Sequence, residues 1–153
     1  AIIDGMQVKV GQEVYIVPLL SIVESFRATP DMLSTVTGRG ELVLFRDTLL
    51  PLFRLANLFH IPSAQTEATA GIVMVVEDTG KRAAILVDGL IGQQQTVIKN
   101  LGAGLGKVDG VSGASILANG EPGLILDVAG IVKLATSREG QGREALFKVQ
   151  AGG

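Results

Sequence analysis

The chain reads as an all-β protein made of two small barrels, and three observations carry that reading. Short runs rich in Val, Ile and Leu recur along it, separated by turn-forming residues. Glycine makes up 20 of the 153 residues, against a usual share of roughly 7%, and glycine scattered among apolar runs means many tight turns. The third observation is an internal repeat. QEVYIVPLLSI, from Gln12, aligns with KRAAILVDGLI, from Lys81, at an offset of 69, and LPLFRLANLF, from Leu50, aligns with GLILDVAGIV, from Gly123, at an offset of 73. A half of about 65 residues in short strands buries too little apolar surface to stand alone. Two copies packed on a shared core, related by an approximate two-fold axis, resolve that difficulty.

The elements follow in order. GMQVKVGQEVYIVPL is a hairpin: Met6, Val8 and Val10 alternate with polar residues, Gly11-Gln12 turns, and Val14 to Val17 return. In LLSIVESF the period changes, and Leu19, Ile22, Val23 and Phe26 fall on one helical face. ATPDMLSTVTGRG is a turn-rich connector with room for one helical turn. ELVLFRDTLLPLF supplies two strands about a turn at Arg46-Asp47, and RLANLFHI is a short helix that ends before Pro62. PSAQTEATA is small and polar, as a linker should be.

The same grammar then restarts. GIVMVVEDTGKRAAILVDGLI reads as strand, turn at Asp78-Thr79-Gly80, strand and a break at Asp88-Gly89; GQQQTVIKNL is a further strand and LGAGLGKVDG a glycine-dense loop. VSGASILANGEPGLILDVAGIVKL gives strand, Asn119-Gly120 turn, strand and closing helix, with Asp127 as N-cap. Pro122 removes a ladder donor and marks an edge or a strand start. Residues 138–153 are polar and weakly periodic, and are expected to form a flexible tail.

Composition excludes several functions. A net charge of −2 with no cluster of Lys and Arg argues against a nucleic-acid surface. Cysteine is absent, which removes disulfides and thiolate metal sites. No apolar run reaches the roughly 18 residues of a membrane-spanning helix, and the opening AIIDGMQV lacks signal-peptide order, as though a fragment began inside a strand.

A search for chemistry finds little. His60 is the single histidine, so a Ser–His nucleophile has one candidate base, at a helix end. It is read as a local helix-end residue, with phosphoacceptor as the alternative. No His/Cys pair or Asp/Glu cluster has metal-ligand spacing. LGAGLGKV is not a G-x-x-x-x-G-K-[ST] phosphate loop, because three residues and not four separate Gly102 from Gly106, and Val108 stands where Ser or Thr is needed. Catalytic residues, metal and cofactor are all assigned as none, which leaves protein–protein contact through apolar side chains surplus to the core.

IVPLLSIVESF, ELVLFRDTLLPLFRL, GIVMVVEDTGKRAAILVDGLIGQQQTVIKNL, VDGVSGASILANG and LILDVAG together resemble the CheW-like regulatory domain at the C-terminal end of chemotaxis histidine kinases of the CheA type. The resemblance spans about residues 1–135. It implies two intertwined five-stranded SH3-like barrels over residues 1–137, with halves at roughly 1–66 and 67–137 that exchange strands. It also implies a non-catalytic, cytoplasmic scaffold at membrane-associated receptor arrays, belonging to a two-component histidine kinase. Its partners would be a CheW-type adaptor, the chemoreceptor cytoplasmic tip and the upstream kinase core of the same chain, with no nucleic acid and no membrane insertion. Motif positions that matter in related adaptors fall on Glu24 and Arg46. The expected partner-binding residues are Ile22, Glu24, Phe26 and Arg46 in the first half, and Leu90 and Ile91 at the corresponding place in the second. A stand-alone adaptor and a small-molecule module using the cleft between barrels are the alternatives.

Overall fold

The computed structural model describes residues 2–38, 40–62, 67–98 and 110–136. Strands β1 (Ile2–Val10) and β2 (Glu13–Pro18) form the first hairpin. A 3-10 turn at Leu19–Ser21 leads into β3 (Ile22–Phe26), and a second at Pro30–Met32 into β4 (Leu33–Val36). Then come β5 (Gly40–Phe45), β6 (Thr48–Arg54) and the one-turn helix α1 (Leu55–Leu58). The second half contributes β7 (Ile72–Asp78), β8 (Lys81–Val87), β9 (Gly89–Val97), β10 (Val111–Ile116) and β11 (Pro122–Leu126). Helix α2 (128–136) closes it. The glycine-dense loop and the segment 138–153 lie outside the described residues.

The strands form two sheets, in the orders β10-β11-β2-β1-β9 and β3-β7-β8-β6-β5-β4. The first unit therefore takes its central hairpin from the start of the chain and its other three strands from the end. Read from the opposite edge, the second sheet runs β5-β6-β8-β7-β3, the same plan with β4 added. Each plan contains one parallel pair, β11 with β2 and β6 with β8. Both sheets curl until their outer strands meet, β9 with β10 and β3 with β5.

The ladders fix how the copies correspond. Glu13 pairs with Val10, and Lys81 with Asp78, so the central hairpins match at an offset of 68. In the parallel pairs Ile125 meets Ile16 and Leu52 meets Ala84, which keeps the same 68 and sets β6 against β11 at 73. The sequence alignment was right at 73 and one residue out at 69. In a strand that one residue exchanges the two faces.

Those faces build three layers of apolar packing. Val8, Tyr15 and Val17 of one hairpin meet Met74, Val76, Ile85 and Val87 of the other in a core between the units, covered by Leu55, Val128, Ile131 and Val132 of the helices. Val43, Leu50, Leu52, Val73, Val75 and Ala84 fill the second unit, and Ile16, Leu117 and Ile125 the first. Residues on β7 and β8 are buried on both faces, Val73 to Val76 and Ala83 to Val87. Such strands read as continuous apolar runs and show no alternation.

The two interiors are filled by opposite choices of volume. In the first unit, a Cβ on Gly5 would stand 2.5 Å from Ile16 Cγ2, and one on Gly123 would stand 2.7 Å from Leu117 Cδ2 and 3.1 Å from Ile16 Cδ1. Ile16 thus lies between two glycines. The corresponding residues of the second unit are Ala84 between Val73 and Leu50.

Local chemistry sets the helix ends. Asp127 is the N-cap of α2, with its Oδ1 accepting from Gly130 N at 3.1 Å and its carbonyl from Ile131 N at 3.0 Å. His60 has φ +54 just past α1, and the bonds Ile61 N to Ala56 O (2.7 Å) and His60 N to Asn57 O (3.4 Å) form a Schellman ending. That is the helix-end role expected of it, in a conformation that favours glycine. The expected helix over Leu19–Phe26 is instead a 3-10 turn followed by β3. Its apolar spacing comes from a bulge, because β3 shifts register against β7 between Ile22 and Glu24.

Four stability outcomes can be read by chemical denaturation. Asp127→Ala costs about 1 kcal/mol, whereas His60→Gly stabilises by roughly 0.5–1 kcal/mol. Gly5→Ala is destabilising, and its cost shrinks in an Ile16→Ala background, because the clash needs both side chains. Burial, reinforced by the nearby Glu13 carboxylate, pushes the Tyr15 pKa up from 10.0 to about 12. The contribution of neutral Tyr15 is intact below pH 10 and is lost as pH rises towards 12. Tyr15→Phe therefore has a flatter stability profile over that range.

Candidate functional site

Among the residues expected to meet partners, Glu24, Phe26 and Arg46 come together at one end of the second unit. Arg46 and Asp47 both have positive φ, +47 and +66, and form the tight two-residue turn between β5 and β6. That turn aims Arg46 back across the opening between β3 and β5. Its Nη2 donates to Glu24 Oε1 at 3.0 Å, and its guanidinium carbon lies 4.8 Å from the centre of the Phe45 ring. Phe45 in turn stacks on Phe26, with ring centroids 5.9 Å apart. An ion pair, a cation–π contact and a ring stack thus join the edge strand β3 to the β5–β6 hairpin. Phe45 is the link the sequence did not single out. Its alternation with Leu44, one buried and one outward, was the available signal.

Ile22 is half-buried against the core between the units, so its side chain serves the fold at least as much as the surface. Leu90 and Ile91 are 40% and 53% exposed. Leu90 faces Val8 as Ile22 faces Val76, so Leu90 corresponds to Ile22. Ile91 then matches Val23, and both lie at the register shift of their ladders.

The hairpins carry a second pair of equivalent features. On β5–β6, Leu44 lies directly across from Leu49, and the two are 38% and 42% exposed. On β10–β11 the corresponding residues are Ile116, 61% exposed, and Pro122, also exposed and also directly opposite. Each unit therefore presents an outward apolar cross-strand pair at the turn end of the same hairpin. Pro122 begins β11, where it gives up no ladder bond.

Elsewhere the surface offers less chemistry. A cleft of about 390 Å³ is lined by Glu41, Leu52, Phe53, Arg54, Asn57 and Leu58. Its charged groups are bonded to each other, with Arg54 Nε donating to both Glu41 oxygens at 3.1 and 3.0 Å. Among the described residues no group of three or more His, Asp or Glu side chains is arranged to hold a metal ion. No helix among them is long and apolar enough to cross a membrane.

The fold and these surfaces define a class: a duplicated, strand-exchanged pair of small β-barrels with matching apolar ends. Residues 4–136 match the model of the CheW-like domain, and the chain belongs to that family. It is 44% identical over 134 residues to the chemotaxis protein CheA of Klebsiella aerogenes, which covers 88% of this chain and 21% of that protein. It is 35% identical over 137 residues to the sensor histidine kinase CheAY of Helicobacter pylori, covering 90% of this chain and 17% of that protein. The chain thus spans about a fifth of the length of these relatives. Among solved structures, the scaffolding protein TtCheW of Thermoanaerobacter tengcongensis superposes with a TM-score of 0.62 at 14% identity. The superposition covers 83% of this chain and 90% of that one, and shows a shared fold.

The ion pair of Glu24 with Arg46 contributes little stability, since the two side chains are 46% and 63% exposed. Glu24→Gln is expected to change unfolding free energy by less than about 1 kcal/mol. Phe45→Ala, which empties a buried ring site, costs about 3–5 kcal/mol. Denaturant melts of both variants check the contrast.

Proposed function

We propose that this chain is the regulatory region of a chemotaxis histidine kinase, and that it couples a CheW-type adaptor and the chemoreceptor cytoplasmic tip to an upstream kinase core. It does so through protein contacts, without chemistry of its own. The supporting observation is the apolar pair repeated on each unit, Leu44 with Leu49 and Ile116 with Pro122. One such pair would serve a single contact. Two on matching hairpins allow each chain to be joined at both ends, as a module in an extended array at the membrane surface must be.

The relatives favour a kinase region over a stand-alone adaptor, since the one at 44% identity is named a chemotaxis protein CheA and the one at 35% a sensor histidine kinase CheAY, while the CheW scaffolding protein shares 14%. Apolar side chains desolvated at the centre of a contact supply most of its energy. Glu24 and Arg46, on the rim of the same end, set orientation and association rate. Signal transmission is then a shift between arrangements of these contacts.

The test is binding of the chain to a CheW-type adaptor and to a receptor-tip fragment by calorimetry. Leu49→Asp and Ile116→Asp, each checked for native folding, are expected to weaken adaptor binding at one end apiece by at least tenfold, about 1.4 kcal/mol. Either alone limits assemblies to a pair, and combined they weaken binding at both ends. Full-strength binding by the folded double variant overturns the reading.

A further inference from the structure

The two units share one frame but close it differently. In the second unit, Glu24, Phe26, Phe45 and Arg46 tie the edge strand to the facing hairpin. The ladders place Gly92 and Gln94 at the positions of Glu24 and Phe26. On the facing hairpin Leu117 takes the place of Phe45 and Ala118 that of Arg46, in a loop one residue longer. Every member of the clasp is replaced by a residue that cannot make its contact. Gln94 instead accepts a hydrogen bond from Gln7, on the strand beside it. Among the described residues no hydrogen bond, ion pair or ring contact runs from β9 to the β10–β11 hairpin. Among the described residues the apolar cluster behind this seam is Ile16, Leu117 and Ile125, with Ile3, Val14 and Ile98 packed against it, where the second unit buries ten residues.

We infer that the β9–β10 seam is a conformational latch, opening far more often than its counterpart between β3 and β5. The moving part is the β10–β11 hairpin, since β9 is held to β1 over eight paired residues and β3 to β7 over four. The three contacts of the clasp together shift an opening equilibrium by roughly ten- to a hundredfold. Opening bares Leu117 and the face of Ile16 behind it. It also lets the hairpin bearing Ile116 and Pro122 change its angle, while the hairpin bearing Leu44 and Leu49 stays fixed. One docking end is then compliant and the other rigid. That last consequence rests on the docking role proposed above, whereas the latch can be measured on the chain alone.

The absence of native cysteine makes the measurement clean. Ser115 and Val43 occupy equivalent buried positions facing the two interiors. Ser115→Cys and Val43→Cys each place one thiol there, and when closing outruns labelling the rate reports the open fraction. Cys in place of Ser115 is expected to react at least tenfold faster than Cys in place of Val43. Adding Glu24→Gln and Arg46→Gln to Val43→Cys raises its rate towards the other. Should Val43→Cys fail to fold, Ile16→Cys and Ala84→Cys probe the same two interiors. Equal rates in the parent background, or no acceleration on removing the clasp, overturn the proposal. Failure of adaptor binding with the rates still unequal overturns the docking role and leaves the latch standing.

Discussion

The structure depends on one constraint: the central hairpins have apolar side chains on both faces. Ala83 to Val87 and Val73 to Val76 are all buried, so β7 and β8 need cover above and below. One face is covered by the strands of their own sheet as it curls. The other can be covered only by the second hairpin, whose Val8, Tyr15 and Val17 have the same need. Neither unit can separate from the other without exposing this layer to water, at about 25 cal/mol for each Å² of apolar surface. Strand exchange follows from the same need. The first hairpin lies at the start of the chain and the other strands of its sheet near the end, so the end of the chain must return to complete it.

A shared core also explains what is free to differ between the copies. The layer between the units is apolar on both sides, with Val8 matched by Val76 and Val17 by Ile85, though Tyr15 stands at the place of Ala83. The interiors are independent of each other, and there the copies diverge: isoleucine between two glycines in one, alanine between valine and leucine in the other. These three positions hold less side-chain volume in the first unit than in the second, so both the amount and its distribution differ. The seams differ more sharply still, with a charged and aromatic closure on one side and glycine, glutamine, leucine and alanine on the other. Duplication supplied two equivalent ends, and the side chains at the seams made them chemically unlike.

Much of the plan was legible in the residues because turns and caps are local. Arg46-Asp47 and Asn119-Gly120 fold as the dipeptides suggest, Asp127 caps its helix, and Pro122 starts its strand. The resemblance to CheW-like domains, and with it the all-β class, stands on the family match and on the shared fold. The failures have equally definite causes. KRAAILV is apolar on both faces, so nothing in its pattern distinguishes an offset of 69 from 68, and only the ladder at the turn decides. LLSIVESF imitates helical spacing because a bulge adds one residue to a strand. Leu90 and Ile91 were expected at a partner surface and are 40% and 53% exposed, although an apolar residue on a short strand carries no mark of which neighbour will cover it.

The sequence by itself determined the repeat, the hairpin turns and the helix caps, the last two because they are set by contacts within a few residues; it put a helical face where β3 runs and a connector where β4 runs. Tertiary structure alone decided that β1 and β2 complete a sheet with β9 to β11. It alone brought Arg46 across to Glu24 and Phe45, and left Ile116 and Leu49 uncovered. These outcomes depend on which surfaces remain once distant segments have packed together, and no local pattern of residues contains that information.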